Sequence, residues 1–369
     1  MNSSSKISYY ANVSLIFIGL FIFFYFLVLA QGIIVPLIFS IIVATVLSPI
    51  VNFFVNLKFN RIVAIFVTLA LVISFSIFVI ILLYFQIIKF SDSFPLLVNK
   101  FDVLLKDIEA WVSTTFNISA FKINGWTNET KAEIINLGRS LLGKTIINIG
   151  GMLIVLFLIP VYVFLILVYQ SLLVEFIHKL FNANRQSKLN IVLTSTKKII
   201  QSYLVGLLLE ILIVAILNAT SLLIIGIDYA ILLGFVGATL NLIPYIGGII
   251  GISLPMLIAL ATKTPLDAFW VFASYLFIQF IDNNVLVTTI VASKVKINAL
   301  ISIMVVLIGG AMWGVSGMFL SIPLTAIVKL ICDNVDGLKP WGFLMGKVVV
   351  IKPNKLLSNL NFKTQSTKA

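Results

Sequence analysis

Two stretches of the chain, residues 229–262 and 297–331, are almost entirely apolar, and each runs for about 34 residues. A straight α-helix of that length reaches roughly 50 Å, while a bilayer's hydrocarbon core is only about 30 Å thick. Neither stretch reads as a plain crossing, and both are interrupted near the middle. The first holds Asn241, Pro244, Tyr245, Gly247 and Gly248; the second holds Gly309, Gly310, Gly314 and Gly317, then Pro323. Two architectures fit such a pattern: one long kinked span, or a re-entrant hairpin of two short arms. The lengths and the central breaks favour hairpins. Lys and Arg prefer cytoplasmic loops, and the loop charges favour hairpins only narrowly.

Composition puts these stretches in a membrane. Of 369 residues, 61% are hydrophobic and 10% charged, against about 45–50% and 25% in soluble domains. A soluble fold has no way to cover that much apolar surface. One cysteine, Cys332, and one histidine, His178, exclude an internal disulfide, a thiolate cluster and a multi-histidine metal site. The net charge of +12 reads as cytoplasmic loop lysines rather than a nucleic-acid surface. No cofactor motif is present.

Full spans of about 20 residues are expected at 11–30, 33–56, 62–88, 146–169, 203–225 and 266–291. The first is too long for the apolar core of a signal peptide and reads as a retained helix, which suits an inner-membrane protein. With the N-terminus inside, Lys58, Arg61, Lys179, Arg185, Lys188, Lys197 and Lys198 fall on the cytoplasmic side, as does the lysine-rich tail. The expected fold is therefore an all-α polytopic membrane protein: about six spans and two hairpins, which hydropathy counts as eight. Five regions follow: a three-span scaffold (1–88), an extramembrane amphipathic insertion (89–145), a fourth span with a basic segment (146–202), a core holding both hairpins (203–331), and a cytoplasmic tail (332–369). In the insertion, Phe94, Leu97, Val98, Phe101, Leu104, Leu105, Ile108, Trp111 and Val112 recur at helical spacing. They predict a packed helix, broken near Gly125-Trp126 from a second one at 128–144. The basic segment 170–202 is expected to rest on anionic lipid.

Ionisable groups inside spans are expensive and therefore candidate functional groups. Asp282 is the first, with Gln279 and Asn283 spaced to share its helical face. Such an acid between two amides suits a monovalent cation, a proton or a hydroxylated solute; it also suits a clamp between helices. Glu210 is the second, nearer the end of its span. The hairpin tips are the other candidates, because breaks in paired segments free backbone groups beside a transport path. They contribute Asn241, Pro244, Tyr245, Gly247 and Gly248 from one side, and Gly309, Gly310 and Gly314 from the other. The small-residue pairs Gly247/Gly251 and Gly310/Gly314 equally suit close helix contact. Catalysis finds no support: no HExxH, no phosphate loop, no membrane histidine for a serine nucleophile, and one central aspartate where an aspartyl protease needs two.

The sequence resembles the autoinducer-2 exporter family of bacterial permeases over about residues 10–340. The segment "YLVGLLLE", the run "GIDYAILLGFVGATLNLIPYIGGIIG", and "FIQFIDNNVLVTTIVASKVKINAL" carry the likeness, together with "LIGGAMWGVSGMFLSIPLTAIVK" and "LFLIPVYVFLILV". Gly248 and Thr288 stand where such proteins often have Pro, and Asn298-Ala299 where His-Pro is common. Asn298 removes an ionisable group, so arguments for proton coupling that rest on that histidine do not transfer.

The resemblance implies a transporter of small solutes. The expectation is a gradient-driven secondary transporter, not an enzyme, that exports a small polar solute such as an autoinducer-2-like signal by alternating access. Na⁺(Li⁺)/H⁺ antiport is the alternative, and a non-transporting scaffold a second. The segments 203–262 and 266–331 each pair a span with a hairpin, as an inverted repeat would, with the solute between the tips. A homo-oligomer is expected, with both termini cytoplasmic.

Overall fold

Phenylalanines cover the outside of the structure, and hydroxyl, amide and carboxyl groups sit within it. Phe17, Phe66, Phe75 and Phe280 are largely exposed, whereas Ser40, Ser48, Thr68, Glu210, Asn218, Asp282 and Ser321 are buried. That inversion is stable only where the surrounding solvent is itself apolar. The computed structural model describes residues 9–116, 149–182, 185–241, 247–291 and 297–346. Among them every regular element is helical: α1 (Tyr9–Leu29), α2 (Gln31–Asn56), α3 (Arg61–Phe116), α4 (Ile149–Val168), α5 (Gln170–Lys179), α6 (Gln186–Ile225), α7 (Ala230–Leu240), α8 (Gly247–Thr262) and α9 (Pro265–Ile281). A π-helical segment (Asp282–Val291) follows, then α10 (Ala299–Asn334), a 3₁₀ turn (Asp336–Leu338) and α11 (Lys339–Met345). Five of the described helices are long and apolar enough to cross a membrane, or six if α4 and α5, bent by 63°, count as one.

The expected span at 62–88 and the amphipathic helix after it form one element. α3 continues for 56 residues, roughly 84 Å of helix, so much of it extends past any hydrocarbon core. The second helix expected at 128–144 lies outside the described residues, as do the loop lysines Lys294 and Lys296 and the tail from Lys347.

Both apolar stretches double back. α7 and α8 pack on each other, and a methyl group added to Gly251 would stand 3.2 Å from the Cα of Gly237. α10 breaks at Trp313 and Gly314. Eight residues apart on a straight helix, Gly309 and Gly317 would be separated by about 12 Å; instead a Cβ on either would overlap the other's carbonyl oxygen. Gly314 makes the turn with φ 61° and ψ −141°, a conformation essentially closed to other residues. Trp313 then pins the turn by donating its indole N–H to the Leu27 carbonyl of α1 at 3.1 Å.

α6 organises the two hairpins. Its buried side is a single stripe, from Ile200, Tyr203, Leu204 and Leu207 through Glu210 to Val214, Asn218 and Leu222, which is the helical repeat. The first hairpin covers the C-terminal part: Leu222 is buried with Ala230 and Leu233, and Gly237 lies beside Asn218. The second covers the N-terminal part: Leu320 and Ala326 are buried with Ile200, Tyr203 and Leu207. Beyond that, Lys188 donates to Asp336 at 2.9 Å. Hydrogen bonds from Lys339 and Lys188 hold the Asp336 carboxyl at about 2. The hairpins thus enter from opposite ends of α6 and both tips point toward its middle. α6 itself is tied to α2, where Gln201 donates to the Thr45 carbonyl at 2.7 Å.

A side chain at the Gly309/Gly317 crossing has no space. Gly317→Leu is expected to destabilise the protein by about 1–3 kcal/mol, read as earlier thermal unfolding in detergent. Gly19→Leu, at a position with nothing within 4 Å, is expected to leave the unfolding temperature unchanged.

Candidate functional site

Thr264 starts α9 with a capping box, its hydroxyl accepting from the Asp267 N–H while the Asp267 carboxylate accepts from the Thr264 N–H, and Pro265 follows. Such caps fix where a helix begins, and from there Tyr275, Gln279 and Asp282 fall at i, i+4 and i+7, on one side. At Asp282 the α-helix gives way to the π-helical segment. The wider π turn is rare and concentrates at functional sites.

The tip of the first hairpin is fastened to this point. Asn241, which closes α7, donates from Nδ2 to Oδ2 of Asp282 at 2.7 Å. Gln279 donates in turn to Oδ1 of Asn241 at a longer 3.4 Å. Asp282 is 1% exposed, so the Asn241 bond is made in an apolar interior where water cannot take its place. The other carboxyl oxygen, Oδ1, makes no hydrogen bond among the described residues. Gly248, the second residue of α8, gives the tip its close fit: a Cβ there would stand 2.8 Å from Oε1 of Gln279.

Beside these groups lies a cavity of about 10 Å³, bounded by Asn218, Asn241, Gly248, Tyr275 and Gln279, with Val214 and Ile278 on its apolar side. That volume admits one water-sized occupant. Oδ1 of Asn218 and the Tyr275 hydroxyl are buried and make no hydrogen bond among the described residues. A point at the would-be Cβ of Gly237 is 3.3 Å from the Tyr275 oxygen, 3.5 Å from Nδ2 of Asn218 and 3.5 Å from the Gly251 carbonyl oxygen. Polar groups from α6, both arms of the hairpin and α9 therefore converge on one small space. Among the described residues no group of three His, Cys, Asp or Glu side chains is placed to hold a metal.

The structure gathers part of the sequence expectation and disperses the rest. Asn241, Gly248, Gln279 and Asp282 come together. Asn283 does not: it is exposed, because the π segment departs from the 3.6-residue repeat that placed it beside Asp282. Gly247 is packed against the Leu240 carbonyl, a contact within the hairpin. Pro244 and Tyr245 lie outside the described residues. Gly309, Gly310 and Gly314 belong to the second hairpin's crossing and turn, and none of them lines the cavity. Glu210 is 6% exposed on the α6 stripe, between Leu207 and Val214. It has no ion pair among the described residues.

Asn218 and Tyr275 were missed, although a signal existed. Asn218 is two turns beyond Glu210 on the same stripe, and Tyr275 is one turn before Gln279.

The family model described as "AI-2E family transporter" matches residues 14–337. "Putative transport protein YrrI" of Bacillus subtilis is 31% identical over 128 residues, 35% of this chain and 36% of that protein. "Putative permease PerM" of Escherichia coli is 26% identical over 213 residues, 57% of this chain and 60% of that protein. "AI-2 transport protein TqsA" of Escherichia coli is 29% identical over 113 residues, 31% of this chain and 33% of that protein. The chain thus spans between about a third and three fifths of the length of these relatives.

Asn241→Ala removes the hydrogen bond that Asn241 gives to the Asp282 carboxyl. A buried acceptor left without a partner costs about 1–3 kcal/mol, and thermal unfolding in detergent should show that loss. Asn283→Ala, at an exposed position, is expected to stay within about 0.5 kcal/mol of the parent.

Proposed function

The chain belongs to the AI-2E family of transporters, and from that premise we propose that it is a gradient-driven secondary transporter. In this reading it exports a small polar solute across the bacterial inner membrane by alternating access, and its termini are cytoplasmic. The observation that carries the reading is the fastening of Asn241 to Asp282. It joins the tip of a helical hairpin to a helix at the point where that helix leaves α geometry, beside a polar cavity in an apolar interior. Discontinuous helices converging on a polar midpoint are the arrangement by which secondary transporters hold their cargo. The closed tip corresponds to an occluded state, and release of Asn241 from Asp282 opens it. Asn241, Gln279 and Asp282 act on the cargo or its coupling ion, and Pro244 and Tyr245 belong to the same tip. Glu210 stands where the second hairpin, with Gly309, Gly310 and Gly314, meets the same helix.

The opposite entry of the two hairpins along α6 supports an inverted repeat, with 203–262 and 266–331 as its halves. An autoinducer-2-like signal is the proposed cargo class, in line with the printed name of one relative. A second reading, Na⁺(Li⁺)/H⁺ antiport, draws on the size of the cavity. About 10 Å³ admits a dehydrated monovalent cation but not a sugar-sized solute, and Asp282 keeps one oxygen uncommitted.

Proteoliposomes with an imposed proton gradient decide between these readings. Export predicts gradient-driven flux of the autoinducer-2-like solute. Antiport predicts Na⁺- or Li⁺-dependent proton movement without it. In either case Asn241→Ala and Asp282→Asn are expected to slow flux roughly 5- to 150-fold, the rate equivalent of about 1–3 kcal/mol. Folded wild-type protein that moves neither solute nor cation under any gradient would sink both readings.

A further inference from the structure

A second polar concavity lies away from the hairpins, at the elbow where α4 turns by 63° into α5. It is an open cleft of about 570 Å³, lined by Asn52 of α2, Arg61 of α3, and Gln170, Ser171, Glu175 and His178 of α5. A volume of this size suits a headgroup or a small metabolite. The α5 residues Ser171, Glu175 and His178 are spaced i, i+4, i+7 and form one face. On the other face Leu172, Leu173, Phe176 and Leu180 are exposed. The helix therefore has an apolar side suited to a membrane boundary and a polar side that walls the cleft.

Arg61 is pre-oriented. One guanidinium nitrogen, Nη2, donates to the Leu167 carbonyl at 3.1 Å and to Oε1 of Gln170 at 3.2 Å. Nη1 and Nε make no such bond among the described residues, so one edge of a planar fork remains available. That edge matches two oxygens of a phosphate or carboxylate. His178 is also held. Its Nδ1 lies 2.6 Å from Oε1 of Gln186, whose amide nitrogen donates to the carbonyls of His178 and Phe181, each at 2.8 Å. Gln186 thus presents an acceptor to the ring, which places the proton on Nδ1 and leaves Nε2 as the open nitrogen. The one acid in the lining, Glu175, is already paired with Lys179 at 2.8 Å. The hydrogen bond from Lys179 holds its carboxyl below the usual range, so it stays ionised and its charge is offset by its own partner. The cleft's uncompensated charge is the guanidinium.

We propose that this cleft binds a phosphate group, carried either by an anionic lipid headgroup or by a soluble ion, with Arg61 as the principal contact and the Ser171 hydroxyl and Asn52 amide as further donors. This site is independent of the Asn241–Asp282 junction and of the transport reading.

The test uses full-length protein in dodecyl maltoside, which carries no phosphate. Short-chain phosphatidylglycerol, chain-matched diacylglycerol and inorganic phosphate are titrated separately, and the rise in unfolding temperature is followed. Saturable stabilisation by phosphatidylglycerol but not diacylglycerol is expected. It should weaken at least about tenfold in Arg61→Gln, as loss of a charge-assisted pair implies, and remain unchanged in Lys263→Gln. Because Arg61 also braces the elbow, Ser171→Leu provides a second arm. It narrows the cleft from α5, leaves both Arg61 bonds in place, and is expected to weaken binding to the same extent. Stabilisation by inorganic phosphate with the same dependence on both variants assigns the site to a soluble ion; stabilisation by the lipid alone assigns it to a headgroup. Equal shifts from diacylglycerol, or titrations of both variants that match the parent, overturn the proposal.

Discussion

A helix that stops inside hydrocarbon leaves N–H and C=O groups with no water to receive them. That constraint decides where this chain is allowed to break. Both apolar stretches interrupt their helices, and the arms beside each break pack on α6. The approach of two short arms favours glycine at the crossing. A side chain at 309 or 317 would occupy the place of the opposing carbonyl, while a Cβ at 251 would stand 3.2 Å from Gly237, a looser contact. The polar residues inside follow from the same requirement: half-buried Gln279 donates to half-buried Asn241, and buried Ser321 donates to the Gly317 carbonyl.

The two tips are secured by different means. The second turns in two residues, Trp313 and Gly314, and hangs from a backbone carbonyl of α1 through the indole N–H. Its base is clamped as well: Asn298 caps α10 and donates to the Leu344 and Gly346 carbonyls after the α10 arm has returned. The first hairpin's fastening is a side-chain bond, from the Asn241 amide to the Asp282 carboxylate. A bond between a neutral donor and an ionisable acceptor depends on what else is near the acceptor. An indole bonded to a peptide carbonyl has no such dependence.

The hairpins were legible because their signal is a length mismatch, and length survives without structure. Stretches expected at 229–262 and 297–331 became arms at 230–262 and 299–334. Asp282, Gln279 and Asn241 were legible for a related reason: polar groups stand out against an apolar run. Asn283 was misplaced because a periodicity of 3.6 was carried across a segment that winds more loosely, and no residue type in "DNNVLVTTIV" announces that change. α3 was divided at residue 88 because its composition turns polar there, while the helix itself continues. Composition reports the solvent a segment meets, and a helix that leaves the bilayer changes solvent without changing geometry. Asn218 and Tyr275 were overlooked because each is a lone, uncharged polar residue in a span. Their place on the stripes of Glu210 and Gln279 matters only once α6 and α9 are known to face one cavity.

Glu210 stands between the two hairpins on α6. It lies on the α6 stripe between Leu207, packed with the second hairpin, and Val214, which borders the first hairpin's cavity. α6 is held to the scaffold by Gln201 on α2, so its stripe is a fixed rail against which either tip is positioned. In the proposed transport cycle the second hairpin, tied at tip and base, and α6, tied to α2, are the stationary side, and the first hairpin, fastened to the Asp282 carboxyl, is the part that opens.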